Sequence, residues 1–170
     1  YVTSHVEKND YKYMFMYDFK TKLWNSHNFG QKSVPPSDPY CGGGLWHYNG
    51  KTKYVTLSSW NSFDGIWMLD IDNLKWERYW DQTKGDKEGP WTGYGRRLGI
   101  YGGSSFVWNN HFYIFGGNMG PNGYPDSNEF WKYDLINYKW TKLTTSAENK
   151  YGTVVARRLH SFSLYKNKAI

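Results

Sequence analysis

The stretch Phe130-Trp131-Lys132-Tyr133-Asp134-Leu135-Ile136-Asn137-Tyr138-Lys139-Trp140 decides the fold. Trp131, Tyr133 and Leu135 alternate with more polar neighbours, so in an extended chain three large apolar side chains fall on one face. Asp134 stands six residues before Trp140, which leaves room for a turn at Ile136-Asn137 and a returning strand. Asn137 suits the unusual backbone angles of a tight turn. The stretch therefore predicts a β-hairpin with one aromatic face.

Two earlier segments repeat it. Phe15, Tyr17, Asp18, Phe19, Thr21 and Trp24 form one copy, and Trp67, Leu69, Asp70, Ile71, Asn73 and Trp76 the other. In each, the Asp again precedes the Trp by six residues, and a turn-forming residue follows the Asp by three. The aspartates lie 52 and 64 residues apart, a spacing that fits a four-stranded unit with variable loops better than a two-helix repeat.

Between the copies lie further hairpins. Leu45 to Tyr48 and Lys53 to Leu57 flank Asn49-Gly50, a strong short-range turn signal. Ser104 to Trp108 and Phe112 to Phe115 flank Asn109-Asn110, and Ser161 to Tyr165 precedes Lys166-Asn167. Arg157-Arg158-Leu159-His160 restarts the unit that Arg96-Arg97-Leu98-Gly99 opens, with residues 99 to 101 as an insertion in the earlier copy. Tyr1 to Ser4 reads as a short strand. Two stretches read as loops: residues 26 to 41, where prolines 35, 36 and 39 break any ladder, and residues 81 to 94, with Asp86-Lys87-Glu88.

Each unit is thus a hairpin of strands a and b, a connection, and a hairpin of strands c and d. The expected division is 1–33 (strands b to d of a first unit), 34–94, 95–152, and 153–170 as the start of a fourth. Radially arranged four-stranded sheets make a β-propeller, which closes with roughly four to eight blades. The expectation is all-β: part of a propeller whose chain continues at both ends, or whose ring a partner chain completes.

Aromatic residues make up 21% of the chain while mean hydropathy is −0.81, so the apolar material is concentrated in wide rings suited to filling gaps between sheets. The net charge of +6 makes anionic partners worth weighing, but lysines and arginines are scattered along the sequence, so nucleic acid is not the expected partner. The single cysteine, Cys41, excludes a disulfide within these residues and every multi-cysteine zinc pattern. With no Asn-x-Ser/Thr site and no apolar run of membrane-spanning length, a cytoplasmic location is expected.

These features together resemble the kelch-repeat propellers. The residues that carry the likeness are Tyr113-Ile114-Phe115-Gly116-Gly117 closing a second strand, the aromatic third strand ending Tyr133-Asp134, and Trp140 six later. Arg158-Leu159-His160-Ser161-Phe162-Ser163 also looks like the family's opening strand. One departure stands out: where the third unit has Gly116-Gly117, the second has Ser58-Ser59 and the first has Thr3-Ser4-His5. The WD-repeat propeller fits less well, because its Trp directly precedes its Asp.

The repeated Asp18, Asp70 and Asp134 read as turn-bonding groups rather than catalytic carboxylates, since a catalytic centre needs a few convergent groups and not one per blade. Trp24, Trp76 and Trp140 read as packing between blades. The resemblance implies that Arg97 and Arg158, which open inner strands, could hold an acidic peptide through paired hydrogen bonds, the rival reading being that they brace loops. Trp91, Tyr94 and Tyr124 fall in long loops suited to contact residues.

The histidines His5, His27, His47, His111 and His160 show no metal-binding spacing, and no phosphate loop or nucleophile elbow occurs. No cofactor or metal is expected. The resemblance implies a non-catalytic interaction module: a scaffold, substrate adaptor or subunit of a larger assembly. The alternative it leaves is the propeller portion of an enzyme, such as a kelch-containing phosphatase or a copper oxidase similar to galactose oxidase.

Overall fold

The computed structural model describes residues 13–30, 42–59, 63–80, 89–90, 100–118, 125–143 and 154–170. Arg97, Trp91, Tyr94, Tyr124, Cys41, His5 and the expected strand at Tyr1 to Ser4 lie outside the described residues.

The described residues are all-β, without a helix. Strands β3 (Gly43–Tyr48), β4 (Lys51–Ser59), β5 (Phe63–Asp70) and β6 (Lys75–Trp80) form one antiparallel sheet in that order. Strands β7 (Ser104–Trp108), β8 (His111–Phe115), β9 (Phe130–Asp134) and β10 (Lys139–Leu143) form a second. The hairpin β1 (Tyr13–Asp18) and β2 (Leu23–Asn28) precedes them, and the hairpin β11 (Leu164–Tyr165) and β12 (Lys168–Ala169) follows. The a-b-c-d order expected from the repeats is the order observed, and the sheets are blades of a β-propeller fragment.

Alternation explains how the blades stack. In β8 and β9, Phe112, Ile114, Trp131 and Tyr133 point to one side; with Ile100 and Trp140 they meet Trp46, Val55, Leu57, Ile66 and Met68 of the preceding sheet. All are buried, which removes both apolar faces from water at once. Opposite-parity residues form the next seam: Phe162 lies 4.8 Å from Phe106, 5.9 Å from Phe115 and 5.5 Å from Phe130. On the far side of the β3–β6 sheet, Leu69 and Trp76 pack with Met14, Met16 and Phe29.

The repeated tryptophans do not share one environment. Trp76 and Trp140 are 8% and 3% exposed, each in a seam with the preceding blade, but Trp24 is 59% exposed and rests on Tyr17, 5.2 Å away. Trp24 therefore departs from the expected packing role among the described residues: its strand carries the repeat, but no described sheet lies against that side.

The inner turns behave as read. Asn49-Gly50, Asn109-Asn110 and Lys166-Asn167 all have positive φ at both central positions, the geometry whose twist matches the flanking strands. The outer turns differ in one respect. Positive φ falls on Lys22, Leu74 and Tyr138, one residue after the expected position, because the amides of Lys22 and Tyr138 reach back to the carbonyls of Asp18 and Asp134.

Trp140→Ala should lower stability by about 3–5 kcal/mol, because a ring buried between two sheets leaves a cavity that neither can close. Denaturant unfolding monitored by far-UV circular dichroism checks it, and a loss below about 0.5 kcal/mol would place the ring at a surface.

Candidate functional site

The recurrent carboxylates are turn devices. Asp134 Oδ1 accepts from the amides of Ile136 (2.8 Å) and Asn137 (2.9 Å), and Oδ2 accepts from Asn137 Nδ2 (2.8 Å). Asp70 makes the same set with Asp72 and Asn73, and Asp18 accepts from the amides of Lys20 and Thr21. Asn137 and Asn73 thus act through their side chains. The bonds hold the Asp18 and Asp70 carboxyls below the usual carboxylate range, led by the Lys20 amide and the Asn73 side chain respectively. Burial pushes Asp134 up, but the bonds from Asn137 and Ile136, with the charge of His111, outweigh it and the net shift is downward.

At the opposite end of the blades four segments are laced together. The amide of Gly117 donates to the carbonyl of Arg157 (2.8 Å), that of Ser127 to Gly117 (2.8 Å), and that of Arg157 to Ser127 (3.1 Å). Tyr101 and Asn118 exchange both backbone bonds (2.9 and 2.8 Å), and the amide of Leu159 donates to Gly102 (2.7 Å). The opening segment of the last unit is in this way sewn to the preceding blade.

Glycine is required at the crossing. A Cβ on Gly116 would stand 2.5 Å from the Arg157 carbonyl oxygen, and one on Gly117 would stand 2.6 Å from Ile100 Cγ2. Both residues also have positive φ, 67° and 90°. In the preceding sheet the equivalent Ser58 and Ser59 instead continue β4 opposite Gly65 and Phe63, through a register shift.

Arg158 sits on the surface of this junction. Its Nε lies 3.5 Å from Asp126 Oδ1, with both side chains partly exposed, and Asn118 Nδ2 donates to the same Asp126 oxygen at 3.4 Å. Arg157 is exposed, and its Nε donates to the Val155 carbonyl (3.0 Å). His160 is turned inward: its ring lies edge-on to Phe115 at 5.4 Å, and both ring nitrogens are buried with no hydrogen-bond partner among the described residues. Burial, helped by the charge of Arg157, lowers its pKa.

Sequence reading singled out Arg158 and the diglycine at this junction but missed Ile100, Asn118 and Asp126. Residues 99 to 101 looked like a plain insertion, yet Ile100 is buried on Gly117 and Tyr101 bridges to Asn118. Asp126 had no pattern to mark it. Chemically the junction offers cationic hydrogen-bond donors beside a carboxylate. Among the described residues, no cluster of His, Cys, Asp or Glu is arranged to hold a metal ion, and no helix is long and apolar enough to cross a membrane.

Residues 100–146 match the kelch motif family, and the match spans the whole β7–β10 sheet with the Ile100–Gly103 segment that packs on the diglycine. The match supports the kelch resemblance for this blade of the chain. No curated protein matches it.

Two measurements test the junction. Gly116→Ala should destabilise the chain by more than about 1 kcal/mol, because both the left-handed backbone and the contact with Arg157 oppose a methyl group. Gly50→Ala, where the turn is open and only the backbone term applies, should lose less. For His160, the folded state favours the neutral ring, so the unfolded chain binds more protons in acid. Its contribution is complete above the unfolded value of about 6.5 and is lost as pH falls below it. Thermal midpoints between pH 7 and 5 should fall more steeply for the wild type than for His160→Leu, and parallel profiles would reject this placement.

Proposed function

We propose that the chain is a non-catalytic protein-interaction module, acting as a scaffold, substrate adaptor or subunit of a larger assembly. Its blades follow the division 1–33, 34–94, 95–152 and 153–170. The observation that carries this reading is the half-exposed Arg158 guanidinium at the laced end of the blades, held to Asp126 at 3.5 Å. A surface pair of that kind contributes only about 0–1 kcal/mol, so an incoming carboxylate can replace Asp126 with little loss of stability.

A rigid framework that presents loops loses little conformational entropy on binding, which suits recognition by surface rather than by folding. Arg97, by its repeat relation to Arg158, and Trp91, Tyr94 and Tyr124, by their place in long loops of the sequence, are the further binding residues of this proposal, and all four lie outside the described residues. The partner is a protein bearing an acidic segment, and the location is cytoplasmic. The repeated aspartates support the non-catalytic reading, since their oxygens are engaged by their own turns. No observation favours the phosphatase or copper-oxidase alternative.

Replacing Arg97 and Arg158 together by Ala should abolish capture of the partner from a lysate while moving the melting temperature by no more than about 2–4 °C, the shift that a 1 kcal/mol change gives at this size. A large fall in stability with capture retained would assign both residues to bracing.

A further inference from the structure

Lys51, Lys75, Lys139 and Lys168, which look scattered along the sequence, are placed by the fold at one end of their sheets. In an antiparallel a-b-c-d sheet the a–b and c–d turns share an end, and here they are tied side by side. The amide of Leu135 donates to the carbonyl of Asn110 (2.9 Å), and that of Ile71 to Thr52 (3.1 Å). Neighbouring blades are aligned in the same sense, since Trp46 Nε1 donates to Asn110 Oδ1 across the seam (3.0 Å). The last hairpin follows suit, with Leu159 bonded to Gly102 and Phe162 packed on Phe106.

At this end a ring and a basic group recur once per blade. The residue before each inner turn is aromatic and the one after it basic: Tyr48 opposite Lys51, Trp108 opposite His111, and Tyr165 opposite Lys168. The rings are 41%, 38% and 57% exposed. Lys75 and Lys139 start the outer strands beside them, opposite Asp70 and Asp134. Those two carboxylates bond to their own turns and stay charged, and the Lys51 charge acts on Asp70, but no ion pair within 4.0 Å joins Lys51, Lys75, Lys139 or Lys168 to a described residue. Lys51, Lys75, Lys139, Lys166 and Lys168 outnumber Asp70, Asp72 and Asp134 there, which leaves a modest positive excess with exposed rings set among the charges.

We infer that this turn face binds single-stranded nucleic acid. A polymer carrying one phosphate and one planar base per unit matches a surface that repeats one cation and one ring per blade, the charges drawing in the backbone and the rings stacking bases of any sequence. Lysine acts on phosphate as a point charge, whereas carboxylates are better served by the planar fork of arginine, and the described arginines nearest a loop, Arg157 and Arg158, lie at the other end. Protein interfaces are also depleted in lysine, which tells against a protein partner on this face.

Fluorescence anisotropy with a short labelled oligouridylate tests the inference. The wild-type chain should bind it, less tightly as potassium chloride is raised, and should prefer it to the matched duplex. The charge-reversed K51E/K139E/K168E variant should lose at least about tenfold in affinity. Trp108→Ala and Tyr165→Ala should each lose about fivefold or more for the oligonucleotide, yet bind heparin, which has charge but no bases, as the wild type does. These residues are exposed, so thermal midpoints should be unchanged; Lys→Gln at the same three positions gives a milder second series. Arg158→Ala should bind the oligonucleotide normally, which separates this face from the proposed peptide surface. Absence of binding, undiminished binding by the charge-reversed variant, or displacement by polyglutamate of equal charge would overturn the inference, the last pointing to an acidic protein instead.

Discussion

A four-stranded sheet with apolar side chains on both faces cannot stand alone in water, and this constraint organises the molecule. The β7–β10 sheet directs Phe112, Ile114, Trp131 and Tyr133 to one side and Phe106, Phe115 and Phe130 to the other. One side is covered by the β3–β6 sheet and the other by Phe162 of the last unit, so the unit of stability is the seam rather than the sheet. Repetition follows from this, because a blade that needs a blade on each side is satisfied by copies of itself.

The seams also set where glycine is needed. At the junction of the last two units the chain must pass so close to Gly116 and Gly117 that a single methyl group would overlap a carbonyl oxygen or Ile100. Backbone hydrogen bonds from four segments converge there, and they fix Arg157 and Arg158 at the surface while His160 turns inward against Phe115. One irregular crossing thus positions both a buried imidazole and the exposed cations.

The two ends of the blades have different characters for a topological reason. Short turns with fixed carboxylate or positive-φ geometry close one end, and they carry lysines beside exposed rings. The other end carries the connections between hairpins and between blades, laced by backbone bonds, with Arg157, Arg158 and the Glu129-paired Lys142 as described cations. Rigid turns suit a ligand that adapts to the surface, whereas irregular connections suit a surface that varies to fit its ligand.

The hairpins, their turns and the four-stranded unit were legible in the amino-acid sequence because they rest on short-range rules. Side chains alternate across a strand, an Asp accepts from amides two and three residues on, and Asn-Gly tolerates positive φ. The diglycine and Arg158 were legible through resemblance to a repeat, though the reason for the glycines was not. Tertiary structure alone decided that Trp24 is exposed while Trp76 and Trp140 are buried, since equal sequence positions differ only in what lies against them. It also decided that Ile100, Asn118 and Asp126 join the junction, and that lysines from separate repeats share one end. Contacts between residues far apart in the chain depend on how whole sheets stack, and no local pattern records that.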